Sequence, residues 1–221
     1  MKKYDNSKPL ILIHVPKTAG ISIKEIYKSW FGNRLLFHYS DGNNTLPPRH
    51  SLKENARDGS LCVYGHFNRA KKFGVEHYYP EVNQFVTIIR EPFEMAVSGY
   101  FYVRKTNPNW RDQLNLQKGG LREYLESMHS GLLNFFPQEV TNDNYVEIIE
   151  AKYVEIGVTE FLSESIARIA EKLNQQYSPE MLKHLNVAKR DLDVPYELKE
   201  SFMNRHKLEY SVYNYVLNKF I

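Results

Sequence analysis

Residues 9–30 constrain the fold more than any other stretch. Pro9-Leu10-Ile11-Leu12-Ile13-His14-Val15 is a nearly unbroken apolar run. Continuous rather than alternating apolarity suits a strand buried on both faces of a parallel sheet. Pro16-Lys17-Thr18-Ala19-Gly20 follows, and then Ile21 to Trp30, whose apolar positions recur at helical spacing. A strand, a tight loop and a helix direct backbone N–H groups at one point, where the helix dipole favours an anion. Lys17 adds a full charge, Thr18 and Ser22 add hydroxyl donors, and Gly20 permits close backbone approach. The chemistry fits phosphate or sulfate. Neither G-x-x-x-x-G-K-[ST] nor G-x-G-x-x-G is present, so the loop is not a Walker motif or a dinucleotide fingerprint. The plain alternative is an ordinary strand-to-helix turn with a surface lysine.

Further elements repeat the strand-then-helix theme. Leu61 to Tyr64 reads as a short strand ending in Gly65-His66-Phe67, and Phe85 to Ile89 as a buried strand ending in Arg90-Glu91-Pro92-Phe93. Pro92 starts a helix with Phe93, Val97, Tyr100 and Phe101 on one stripe. Leu121 to His129 is expected to be helical and Tyr153 to Gly157 a late strand. Ser163 is expected to cap a helix over 164–177, and a helix is expected from Pro195 to the end. Residues 38–59, 104–122 and 184–194 read as loops. Strands alternating with helices predict an α/β domain with a mostly parallel sheet, in which ligands bind beyond the carboxyl ends of the strands.

At 221 residues the chain suits one domain, 1–221, with a core that needs no disulfides. The net charge of +3 gives no argument for nucleic acid or an anionic membrane as partner. The one cysteine, Cys62, excludes an intramolecular disulfide and a multi-cysteine metal site. No metal site is expected, because the histidines lack short paired spacing. No run approaches the ~20 apolar residues of a membrane span, and no signal peptide is visible, so a soluble, cytoplasmic protein is expected.

The second motif is Arg90-Glu91-Pro92-Phe93-Glu94-Met95-Ala96-Val97-Ser98. Arginine at a strand end and a serine eight residues on suit a second anionic group, although such an arginine is commonly a salt-bridge partner. Taken together, Ile13-His-Val-Pro-Lys-Thr-Ala-Gly-Ile-Ser22 and Ile88 to Ser98 resemble the two donor-binding motifs of the sulfotransferases that use 3′-phosphoadenosine 5′-phosphosulfate (PAPS). The likeness is to the heparan sulfate 2-O-sulfotransferase-like branch. Ile156 to Glu160 and His184 to Lys189 are similar to later, less specific segments of that family. Ile21 departs from it, since a threonine or serine is common there.

The resemblance implies a three-layer, P-loop-NTPase-like sulfotransferase fold, with a central sheet flanked by helices. It implies that Lys17 neutralises charge on the bridging oxygen as 3′-phosphoadenosine 5′-phosphate (PAP) leaves. Thr18, Ala19, Gly20, Ile21 and Ser22 would hold the 5′-phosphosulfate, partly through backbone N–H groups. Arg90 and Ser98 would bind the 3′-phosphate, with Lys189 and Arg190 closing over the nucleotide. The acceptor hydroxyl, on a carbohydrate or glycoconjugate, needs a base. His66 matches the family's glycine-histidine segment, and imidazole titrates near neutrality. His14, His38, His50, Glu91 and Glu94 remain as alternatives. Arg69, Lys71, Lys72, Arg104, Lys105 and Arg111 are either an acceptor-attracting surface or simply solvated. Tyr78, Tyr79 and Trp110 are either a sugar platform or core. A nucleotide kinase-like phosphotransferase and a non-catalytic nucleotide-binding module are the rival functions.

Overall fold

The computed structural model describes residues 1–41, 45–52, 61–107, 109–110, 120–128, 131–182 and 194–220. Its centre is an all-parallel sheet of five strands in the order β2-β3-β1-β4-β5. The strands are β1 (Leu10–His14), β2 (Leu35–His38), β3 (Cys62–Gly65), β4 (Phe85–Ile89) and β5 (Tyr153–Val158). From β1 the chain moves outward to β2 and returns to β3. It then crosses β1 to reach β4 on the other side. The sheet therefore switches direction at β1, where open α/β sheets place their ligand crevice.

The continuous apolar run does what the pattern predicts. Period-two alternation sends Leu10 and Leu12 to one face and Ile11 and Ile13 to the other, and all four are buried. On the first face lie Ile23, Ile26, Tyr27 and Trp30 of helix α1 (Gly20–Phe31). The opposite face packs against Val212, Tyr213 and Val216 near the C-terminus. A third cluster joins Phe93, Val97 and Tyr100 of the helix after β4 to Trp110, Tyr124, Leu198 and Phe202.

Among the described residues, further helices are α2 (Val75–Tyr78), α3 (Pro92–Thr106), α4 (Leu121–Ser127), α5 (Tyr145–Lys152), α6 (Leu162–Lys172), α7 (Tyr196–Arg205) and α8 (Lys207–Leu217). Several differ from the sequence expectation. Strand β2, Leu35-Leu36-Phe37-His38, was not among the expected strands; it ends at His38, where the stretch read as loop begins, and it pairs in parallel with β3. Helix α5 was not expected from the sequence. Helix α6 starts at Leu162 with no side-chain cap, and Ser163 instead bonds the Tyr177 hydroxyl at 3.0 Å. The C-terminal helix is two, broken at His206, whose backbone leaves the helical region. Helix α3 runs to Thr106 and α4 opens at Leu121, so helix occupies both ends of the stretch 104–122. Lys189, Arg190, Arg111 and the 184–189 segment lie outside the described residues. Among the described residues no helix is long and apolar enough to cross a membrane.

Candidate functional site

The three central strands β3, β1 and β4 deliver the three sequence motifs to one end of the sheet. Register fixes their level: Ile13 pairs with both Gly65 and Thr87, and His14 with Ile88. His66 follows Gly65, the Lys17 loop follows His14, and Arg90 follows Ile89.

The loop after β1 is tightly wound. Lys17 and Ala19 both hold positive φ, 69° and 60°, which is uncommon for residues with a side chain. Such strain persists where surrounding structure over-determines it, and it clusters at ligand-binding loops. Ala19 is the N-cap of α1 and supplies no side-chain cap. The positive end of the first turn is therefore not capped by the Ala19 side chain. Ile21 is 76% exposed beside it, so its side chain is no barrier to backbone approach. Ser22 sits in the first turn, its N–H donating to Ala19 O at 3.1 Å.

Thr18 corrects the sequence reading. Its hydroxyl is buried and donates to Val15 O at 2.7 Å, which closes the turn. Only the Thr18 backbone is left to face a ligand. Gly20 also has a different reason to be glycine. A Cβ there would lie 1.9 Å from His14 Nε2.

Arg90 ties the second motif to the first. Its guanidinium donates to Lys17 O at 3.3 Å and pairs with Glu94 at 3.4 Å. Glu94, Ser98 and Tyr102 follow at four-residue steps on α3, which puts them on one stripe. The far end of that stripe meets the loop again: Lys17 Nζ sits 3.8 Å from the centre of the Tyr102 ring. Ser98 thus lies between Glu94, which pairs with Arg90, and Tyr102, whose ring meets the Lys17 ammonium. Burial and the nearby Arg90 charge hold the Lys17 ammonium below the ordinary lysine value. Glu91 is occupied structurally. It caps α3 by accepting from Glu94 N at 2.6 Å, takes the Tyr210 hydroxyl, and pairs with Lys199 at 3.4 Å.

His66 is oriented by the sheet edge beside it. Its Nδ1 lies 2.7 Å from His14 O. A carbonyl can only accept, so Nδ1 carries the proton and Nε2 keeps its lone pair. Burial lowers its pKa below the ordinary imidazole value, which keeps it neutral near pH 7. The His14 ring stacks on it at 4.3 Å, and the Tyr39 ring meets it edge-on at 5.0 Å. Among the other histidines, His38 is fully buried against Phe67 and His50 Nε2 bonds Phe37 O at 2.9 Å. Tyr79 and Trp110 are core residues, and Arg69 is paired with Glu76 at 2.6 Å.

Sequence reasoning missed Tyr39 and Tyr102 and ranked His14 low. The i+4 step from Ser98 could have found Tyr102. Tyr39 needed the β2–β3 register, which the sequence does not carry.

Solved structures similar to this chain include two sulfotransferases. A sulfotransferase from Alicyclobacillus acidocaldarius aligns with TM-score 0.50 at 11% identity, over 93% of this chain and 96% of that one. The mouse sulfotransferase SULT7A1 complexed with PAP aligns with TM-score 0.43 at 15% identity, over 80% of this chain. The chain spans 62% of that mouse chain. No family model and no curated protein matches. At these identities the likeness speaks to architecture alone: the chain has the α/β fold seen in sulfotransferases.

Proposed function

We propose that this protein is a PAPS-dependent sulfotransferase of the heparan sulfate 2-O-sulfotransferase-like kind, moving a sulfuryl group to a hydroxyl on a carbohydrate or glycoconjugate. One observation carries the reading. The uncapped start of α1, entered through left-handed Lys17 and Ala19, lies between Arg90 on one side and a neutral His66 on the other. That set offers an anion loop, a second anion donor and a base at one sheet end.

Sulfuryl transfer is an in-line displacement like phosphoryl transfer, so positioning and charge stabilisation supply most of the catalysis. The acceptor oxygen attacks sulfur as the S–O bond to the 5′-phosphate breaks. His66 Nε2 takes the acceptor proton. The Lys17 ammonium leaves Tyr102 and neutralises the bridging oxygen of departing PAP. The backbone N–H groups of residues 18–21 hold the phosphosulfate, and the Ser22 hydroxyl joins them. Arg90 and Ser98 take the 3′-phosphate, Arg90 exchanging its long contact with Glu94 for it, and Lys189 closes over the nucleotide.

The test is incubation with labelled PAPS and a panel of polysaccharides, oligosaccharides and small alcohols, beside calorimetry with PAP. Label transfer to a carbohydrate, PAP binding, and loss of transfer but not of PAP binding in His66→Ala are expected. Tight binding of ATP with magnesium and none of PAP would overturn the proposal. Intact transfer in His66→Ala would overturn the assigned base.

A further inference from the structure

The register of the sheet lines up three rings that the sequence keeps far apart. Phe37 pairs with Tyr64, and Leu12 with Tyr64. Two residues on, the same row holds Tyr39, His66 and His14, all on the α1 face of the sheet. The His14 ring is stacked between Tyr64, at 5.4 Å and 18°, and His66, at 4.3 Å and 22°. Its Nδ1 shares a hydrogen bond with the Tyr39 hydroxyl at 2.9 Å. Its other edge lies against Gly20, where a Cβ would meet Nε2, Cε1 and Cδ2 at 1.9, 2.2 and 2.8 Å. The Tyr64 hydroxyl adds a bond to Gly20 O at 3.2 Å. Three ring contacts and one hydrogen bond hold the imidazole in place.

We propose that His14 is a positioning residue whose ring, wedged between Gly20 and His66, makes the first turn of α1 and the orientation of the base one mechanical unit. The inference rests on the reading of His66 as the base. It explains why the helix opens on glycine: residue 20 gives up its side chain to the His14 ring. Any displacement of the anion loop moves that ring, and with it the plane on which His66 stacks. The groups facing this pair are Tyr39 after β2, Tyr64 on β3, Lys17 in the loop, Lys24 on α1, and Lys71 and His38 beside His66. Burial and these cations keep the His14 ring neutral, its pKa pushed down to about 3, so it packs as an uncharged plate.

A double-mutant cycle tests the coupling. Gly20→Ala is expected to lower the thermal midpoint by at least ~2 °C in the wild-type background. In His14→Ala the same substitution fits the vacated space, and it is expected to leave the midpoint unchanged or raise it, because alanine is the better helix former. An equal drop in both backgrounds overturns the proposal. Histidine ring NMR supplies a readout that simple packing would not move. His14→Ala admits water to His66 and is expected to raise its titration midpoint, whereas His14→Phe keeps the plate and holds it near wild type. Should His14→Ala not fold, Gly20→Ala alone decides, since it is expected to shift the His66 ring signals. Unchanged His66 signals and midpoint overturn the coupling. If the wild type neither binds PAP nor transfers sulfuryl groups, the sulfotransferase reading fails, while the stability and ring-signal results still decide the coupling.

Discussion

Lowering the pH from 7.5 to 5 protonates histidines in the unfolded chain that the folded chain keeps neutral. Burial pushes the His14 imidazole down to about 3 and the His38 imidazole down to about 4, from an ordinary 6.5. His66 is lowered too, by the same cause. A lowered folded pKa means that the unfolded state binds more protons, so stability rises with pH and is lost as pH falls below 6.5. At pH 5 both His14 and His38 are still below their unfolded midpoint yet above their folded one. Each therefore removes about 2 kcal/mol, at 1.36 kcal/mol per unit over the interval from 6.5. The joint loss of roughly 4 kcal/mol is large beside a net domain stability of about 5–15 kcal/mol. Asp5 and Glu150, both held at about 2, lose their stabilising charge mainly below pH 5, outside this window. Urea unfolding followed by the emission of Trp30 and Trp110 at pH 7.5, 6 and 5 measures the effect. The midpoint is expected to fall steadily, with an uptake of about two protons on unfolding at pH 5. His38→Phe keeps the stack on Phe67, which is at 4.2 Å and 6°, and is expected to remove about half of the pH dependence. A midpoint that does not move between pH 7.5 and 5, or an undiminished slope in His38→Phe, would refute the reasoning.

Three other perturbations address the site and its frame. Lys17→Ala should cost transfer at least ~10²-fold while the fold and far-UV spectrum stay intact, as for removal of a single charge-stabilising donor; near-normal turnover would remove Lys17 from its assigned role. Gly65→Ala places a Cβ 2.0 Å from His38 O, a backbone atom that cannot swing away, so a loss of about 1–3 kcal/mol in chemical denaturation is expected. A neutral Gly65→Ala would contradict the β2–β3 spacing. Tyr102→Leu removes the ring beneath the Lys17 ammonium, a contact worth about 0.5–1 kcal/mol when exposed. A few-fold change in PAP affinity is expected, Tyr102→Phe should behave as wild type, and equal behaviour of the leucine and phenylalanine variants would show that the ring plays no part.

What local sequence specifies and what the fold adds divide cleanly at β1. The apolar run Leu10–Val15, the Pro16–Gly20 turn and the helix after it are dictated over short range by burial, proline, and 3.6-residue periodicity. The strand before Arg90 and the proline-opened α3 are equally local. From those pieces the parallel sheet and the placing of Lys17, Arg90 and His66 at strand ends were legible. Strand β2 was not, because its apolar run Leu35-Leu36-Phe37 is too short to separate from the end of the preceding helix by pattern alone. Nor was the inward turn of the Thr18 hydroxyl, which depends on one carbonyl three residues back.

The row Tyr39–His66–His14 belongs wholly to tertiary structure. Each residue follows or ends a different strand, and only the parallel register of β2, β3 and β1 brings their rings to one level. The sequence alone determined that a strand, a tight loop carrying Lys17 and a helix follow one another. Cross-strand pairing decided which rings press on that loop, why its helix begins with glycine, and which nitrogen of His66 is left free.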